Sequence, residues 1–154
     1  MSSQSNPRKV IVGVDGSPAS KDALREGQRL ALALNAQLEA WGCWELPLGY
    51  EAYLAMGTDG FAHDVEDNLD KALKEVFGPE LPMNVRSRLV HGSARAALVE
   101  GSKHAALVVV GRRGHGGFGG LLLGSVSSAV VAHAHCPVVV VHSQQDSRGH
   151  ETGP

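Results

Sequence analysis

The residues best placed to do chemistry lie in 107–125, Leu-Val-Val-Val-Gly-Arg-Arg-Gly-His-Gly-Gly-Phe-Gly-Gly-Leu-Leu-Leu-Gly-Ser. A β-branched run stops at a stretch in which seven of the fourteen positions 111–124 are glycine. A Gly-Ser pair then opens a helical pattern. Glycine lets backbone approach a bound group closely. A helix N-terminus beside it presents N–H groups with no intrahelical partner and a partial positive charge. Together they make a site for an anion, above all a phosphate.

A second candidate follows the first apolar run. Val10-Ile11-Val12-Gly13-Val14 ends in Asp15-Gly16-Ser17-Pro18. Asp15 reads in two ways. It is a turn-former that hydrogen-bonds its own backbone, or, opposite a phosphate loop, a functional acid. Ser17 can cap the next helix, with Pro18 at its first position. His133, His135, Cys136 and His142 invite a metal reading. His133 and His135 stand two apart on an expected helix and so point in different directions; no metal site is assigned. Trp41 and Trp44 are read as core or sheet-edge packing.

The elements that must position these residues alternate. Strands are expected at 10–14, 38–44, 85–90, 107–110 and 138–141, where β-branched and apolar residues run between turn signals. Helical spacing follows Ser17 (Ala23, Leu24, Gly27, Leu30, Ala31, Leu34) and recurs at Val65, Leu69, Ala72, Leu73 and Val76. A third helix is expected from a Ser93 cap to about His104. A fourth follows a Ser125 cap, with Val126, Ala129, Val130 and His133 on one side and an end at Cys136-Pro137. Pro47, Gly49, Gly57 and Gly60 mark 45–61 as a loop. The order β-α-β-α-β-α-β-α-β implies an α/β fold, a parallel sheet with helices on both faces. Ligands of such sheets sit beyond the strand C-termini, where the strand order reverses. The loops at Asp15 and Gly111 both follow strand C-termini, and they face each other if strands one and four are neighbours.

Bulk properties narrow the classes. The 154 residues are 43% hydrophobic and 19% charged, enough for one domain with a core. The net charge is −2 and the basic residues are scattered, against a nucleic-acid face. Two cysteines form no disulfide framework and suit a reducing cytoplasm. No apolar run reaches the roughly 18 residues of a membrane span, and residues 1–7 lack a signal-peptide core. One domain is expected over 8–142, with flexible tails at 1–7 and 143–154.

The glycine stretch is not a P-loop, because no Lys lies between Gly111 and Ser125. Gly114-His115-Gly116-Gly117-Phe118-Gly119 matches G-x-G-x-x-G, but it neither lies in the first βαβ unit nor opens its helix directly. Gly111-Arg112-Arg113-Gly114, nine residues, then Gly124-Ser125 gives G-x2-G-x9-G-S. That spacing resembles the nucleotide-binding signature of the universal stress protein family, in its ATP-binding branch. The opening Val-Gly-Val-Asp-Gly-Ser and the ending from Ser125-Val126-Ser127 to Cys136-Pro137-Val138-Val139-Val140 resemble the family as well, over about residues 8–142.

The resemblance implies a five-stranded parallel sheet of order 3-2-1-4-5, the adenine nucleotide alpha hydrolase-like architecture, which puts strands one and four side by side. It implies ATP, or AMP or cyclic AMP, with Mg2+ accompanying the phosphates. The phosphates would lie on the backbone of Gly111, Gly114, Gly124 and Ser125, with the Ser125 hydroxyl and the Val126 N–H completing the cradle. Asp15 would meet the ribose, and Cys43 and Val110 the adenine. Ser17, Arg113, His115 and Ser127 complete the binding set. No catalytic residue is implied. Residues 138–141 would form a sheet edge covered by antiparallel pairing in a homodimer. The function expected is a nucleotide-binding stress or signalling module with slow or no hydrolysis. An enzyme of the same architecture, an ATPase or transferase, and a structural dimer with a vestigial site are the alternatives.

Overall fold

The computed structural model describes residues 8–45, 50–112 and 123–143, without the side chains of 50–59. The elements run β1 (Lys9–Gly13), α1 (Pro18–Ala33), β2 (Gln37–Trp44), α2 (Tyr50–Phe77), β3 (Val85–His91), α3 (Ala94–Gly101), β4 (Leu107–Gly111), α4 (Ser125–His133) and β5 (Val138–Val141). A 3₁₀ turn, Ser102–His104, links α3 to β4. The strands form one parallel sheet in the order β3-β2-β1-β4-β5. The expected order is therefore observed, and β1 lies between β2 and β4.

Strand alternation divides the core into two layers. Val10, Val12, Leu38, Ala40 and Val109 pack with Ala23, Leu24 and Ala31 of α1 and Leu69, Ala72 and Leu73 of α2. Ile11, Trp41, Val108 and Val110 pack on the other face with Leu98 of α3 and Val130 of α4. β1 and β4, in the middle of the sheet, are buried on both faces, which explains why they read as continuous apolar runs; the edge strand β3, with Arg86 and Arg88 exposed, does not. Trp41 is core, as expected: its Nε1–H donates to Glu39 Oε1 at 2.9 Å, and the Arg88 guanidinium lies 4.9 Å from its ring centre. Trp44 packs its ring on His91, 4.4 Å between centres.

Three expectations are corrected. The stretch 45–61 is not a loop throughout, because α2 begins at Tyr50. Gly57 and Gly60 each cost a helix about 1 kcal/mol. Once the packed turns around Leu69 and Leu73 exist, however, adding residues at the helix start needs no new nucleus. The third helix ends at Gly101 rather than His104, and its last residues tighten into the 3₁₀ turn. The fourth helix ends at His133 and buries Ser127 and Val130; His133 itself is exposed and His135 lies beyond the helix.

Candidate functional site

The sheet order puts the C-terminal ends of β1 and β4 side by side, and each leads into a helix. After β1 the chain turns at once. Gly16 takes φ of 84°, the left-handed region where glycine carries no steric penalty. The Ser17 N–H donates to Asp15 Oδ1 at 2.9 Å. Ser17 is the N-cap of α1: its Oγ accepts from the Ser20 N–H at 3.1 Å, with Pro18 following at the first helical position. The Ser20 hydroxyl donates to Ser17 O at 3.0 Å. Asp15 thus has the turn-forming contact on Oδ1, and the carboxylate is exposed. Ser17 is 3% exposed and its hydroxyl is engaged in the cap.

After β4 the arrangement differs. Gly111 lies directly against the first turn of α1. A Cβ there would fall 2.7 Å from Ala19 Cβ and 2.9 Å from the Ala19 backbone. The glycine is demanded by this packing, which brings the two connections into contact. Arg112 is buried, and its backbone joins three elements. Its N–H donates to Val141 O at 2.8 Å, and its carbonyl accepts from the Gly124 N–H at 2.8 Å and from the Ser127 hydroxyl at 2.7 Å.

The start of α4 corrects a further expectation. Ser125 is not the cap. Gly124 is the N-cap, at φ −76° and ψ 175°, with no side chain to accept from the first-turn amides. Ser125 is the first helical residue and is exposed; Val126 is half-buried. A serine at the cap position would satisfy one of these donors. Among the described residues no cap side chain accepts from the first-turn amides of α4, where the helix carries its partial positive charge.

The remaining expected residues divide. Val110 is 4% exposed, so its side chain belongs to the core. Cys43, on β2 opposite Val90, is half-buried. Burial, then the nearby Glu45 carboxylate, pushes its thiol up to about 11. Arg113, Gly114 and His115 lie outside the described residues. Among the described residues no group of three or more His, Cys, Asp or Glu is placed to hold a metal ion, and no helix is long and apolar enough to cross a membrane. Two features escaped the sequence reading: the seat of Gly111 on α1 and the bond from Ser127 to Arg112. The glycine itself was the signal for the first. The second joins residues 15 apart and leaves no local pattern.

Residues 6–142 match the profile of the universal stress protein family. Universal stress protein Rv2623 of Mycobacterium tuberculosis (strain ATCC 25618 / H37Rv) is 36% identical over 160 residues, covering 97% of this chain and 52% of the relative. Universal stress protein Rv2005c of the same strain is 35% identical over 152 residues, covering 90% of this chain and 50% of the relative. The chain thus spans about half the length of these relatives. Among solved structures, universal stress protein UspA from Lactobacillus plantarum superposes with a TM-score of 0.73 at 23% identity, covering 90% of this chain and 99% of that one. A universal stress protein crystallised in complex with cAMP gives a TM-score of 0.56 at 30% identity, covering 90% and 98%.

Proposed function

We propose that this chain, which belongs to the universal stress protein family, holds an adenine nucleotide, foremost ATP, between the C-terminal ends of β1 and β4. The observation that carries this reading is the N-terminus of α4, which has a glycine cap and stands beside the place where the strand order reverses. The relative with bound cAMP supports the adenine class. The phosphates would lie on the backbone of Gly111, Gly114, Gly124, Ser125 and Val126, with the Ser125 hydroxyl and any Mg2+ they carry. Arg113 and His115 would add positive charge. Asp15, exposed at the end of β1, would accept from the ribose hydroxyls. The base would lie at the end of β2 by Cys43 and against the Val110 backbone.

The proposed role is binding rather than turnover. The sequence has no P-loop lysine, and the described residues place no acidic cluster to hold a metal. Occupancy, with hydrolysis slow or absent, would then be the signal of a stress-response module working in the cytoplasm. Calorimetric titration with ATP, AMP, cyclic AMP and NAD tests this. Adenine mono- or triphosphates are expected to bind and NAD not; binding of NAD alone, or steady ATP turnover abolished by Ser125→Ala, would overturn it.

Pairing of two copies completes the proposal. β5 is an edge strand of four valines, all half-buried, with no charge to deter a partner strand. Antiparallel pairing across this edge would make a homodimer. Light scattering should give twice the chain mass, and Val140→Lys should return it to one; an unchanged mass would remove this interface.

A further inference from the structure

We infer that Ser127 is a positioning residue for the nucleotide site: its hydroxyl fixes the start of α4 against the end of β4 and does not itself touch the ligand. The inference rests on the nucleotide reading above for its purpose, and on the described backbone for its geometry. Ser127 is 2% exposed. A serine hydroxyl has one proton to give. Here it goes to the Arg112 carbonyl at 2.7 Å, while the contact with Gly124 O in the preceding turn is longer, 3.3 Å. That proton is therefore committed inside the protein and is not offered to a phosphate.

The bond matters because of where it ends. The Arg112 carbonyl has two lone pairs, and the described geometry gives it two donors, the Gly124 N–H and the Ser127 hydroxyl. Both come from the start of α4. The Arg112 N–H, on the other side of the same residue, is fixed to Val141 O. One residue thus ties β4, β5 and α4 together. Val130 anchors the body of α4 in the core, but with the Gly124 bond alone the start of the helix would be held to β4 at a single point. With two bonds, one at the cap and one three residues into the helix, its axis is set. The amides of Ser125 and Val126, which lie between these two points, are then aimed before a ligand arrives. Aiming donors in advance removes part of the ordering cost of binding. The low exposure of the bond shields it from competing water.

The test uses the full chain with Ser127→Thr, which keeps a hydroxyl, and Ser127→Val, which keeps the shape of threonine without it. Three quantities are read: the ATP dissociation constant, amide exchange at Gly124 without nucleotide, and exchange in β2 as a distant control. Ser127→Val should weaken ATP about tenfold and speed Gly124 exchange by a similar factor, with β2 unchanged; Ser127→Thr should retain wild-type values. Should Ser127→Val not fold, Ser127→Ala carries the comparison. Weakened ATP binding with unchanged Gly124 exchange would overturn the inference, because Ser127 would then be touching ligand. Wild-type values of both quantities in Ser127→Val would overturn it too. A wild-type chain that binds no adenine nucleotide would overturn the reading of the site instead, and Gly124 exchange would then decide the positioning role alone.

Discussion

Two helices begin at the same end of the sheet, after neighbouring strands, and they begin in opposite ways. α1 is closed by its own sequence: Ser17 caps it, Asp15 holds the Ser17 N–H, and Pro18 brings no donor to its first position. α4 has a glycine at the same position and no side-chain cap. Its first two serines are displaced by one and three residues. Ser125 is exposed, and Ser127 turns inward to Arg112. The difference separates two uses of a helix N-terminus. One is satisfied internally and contributes to stability. The other forgoes a side-chain cap at a cost of only a few tenths of a kcal/mol, and in the proposed reading its donors serve an external anion. On this account α1 supports and α4 binds, and Gly111 joins them because α1's first turn rests on it.

The contrast can be broken most severely at the joint. Gly111→Val would drive a branched side chain into the Ala19 backbone, where even a Cβ lies at 2.9 Å. Overpacking of this kind costs about 1–3 kcal/mol. Thermal unfolding should show a clear drop in Tm, and nucleotide affinity should fall with it as the two arms separate. A Tm equal to wild type would mean that α1 does not bear on β4 as described.

Removing the cap of α1 is milder and more discriminating. Ser17→Ala should cost about 1 kcal/mol, a fall of roughly 2–4 °C in Tm for a domain of this size. The ATP dissociation constant should change less than about threefold, because Ser17 is buried and its Oγ accepts from the Ser20 N–H at 3.1 Å. A large loss of affinity with little loss of stability would reverse the roles given to the two helices.

The smallest effect concerns the base end of the site. Cys43 is held at about 11 by burial and then by Glu45, above its ordinary value of 9.0. A raised thiol pKa favours the neutral form in the folded chain. The associated stability is present below about pH 9 and is lost as pH rises towards 11. At pH 8 the thiolate fraction is lower by about a hundredfold than in the unfolded chain, and alkylation should slow accordingly. Cys136, whose thiol burial also raises, serves as the internal comparison. Bound ATP should slow Cys43 further and leave Cys136 unchanged; equal protection of both would place the base elsewhere.

The layout of the molecule was largely legible before its coordinates. Val10-Ile11-Val12 and the valines of β4 announce buried parallel strands, and Ser17-Pro18 and Ser93 announce two helix starts. The failures were local conflicts. Gly57 and Gly60 are strong punctuators in isolation, yet α2 runs through them from its packed lower turns. Gly124 and Ser125 are both good cap residues, and adjacency gave no means of choosing; the two bonds to the Arg112 carbonyl make Gly124 the cap. Of the two readings of Asp15, the turn-forming one is directly visible. The Ser127 bond was illegible because it depends on where β4 ends in space rather than on neighbouring residues.

Closing α4 as α1 is closed tests the central claim most directly. The φ of −76° at Gly124 suits any residue, so Gly124→Asp can place a capping carboxylate against the helix start. The account predicts effects of opposite sign in one protein: Tm maintained or raised by a few degrees, and ATP affinity lost by more than about a hundredfold, since the carboxylate occupies the donors and repels the phosphates. Wild-type affinity for ATP in a stably folded Gly124→Asp chain would contradict it.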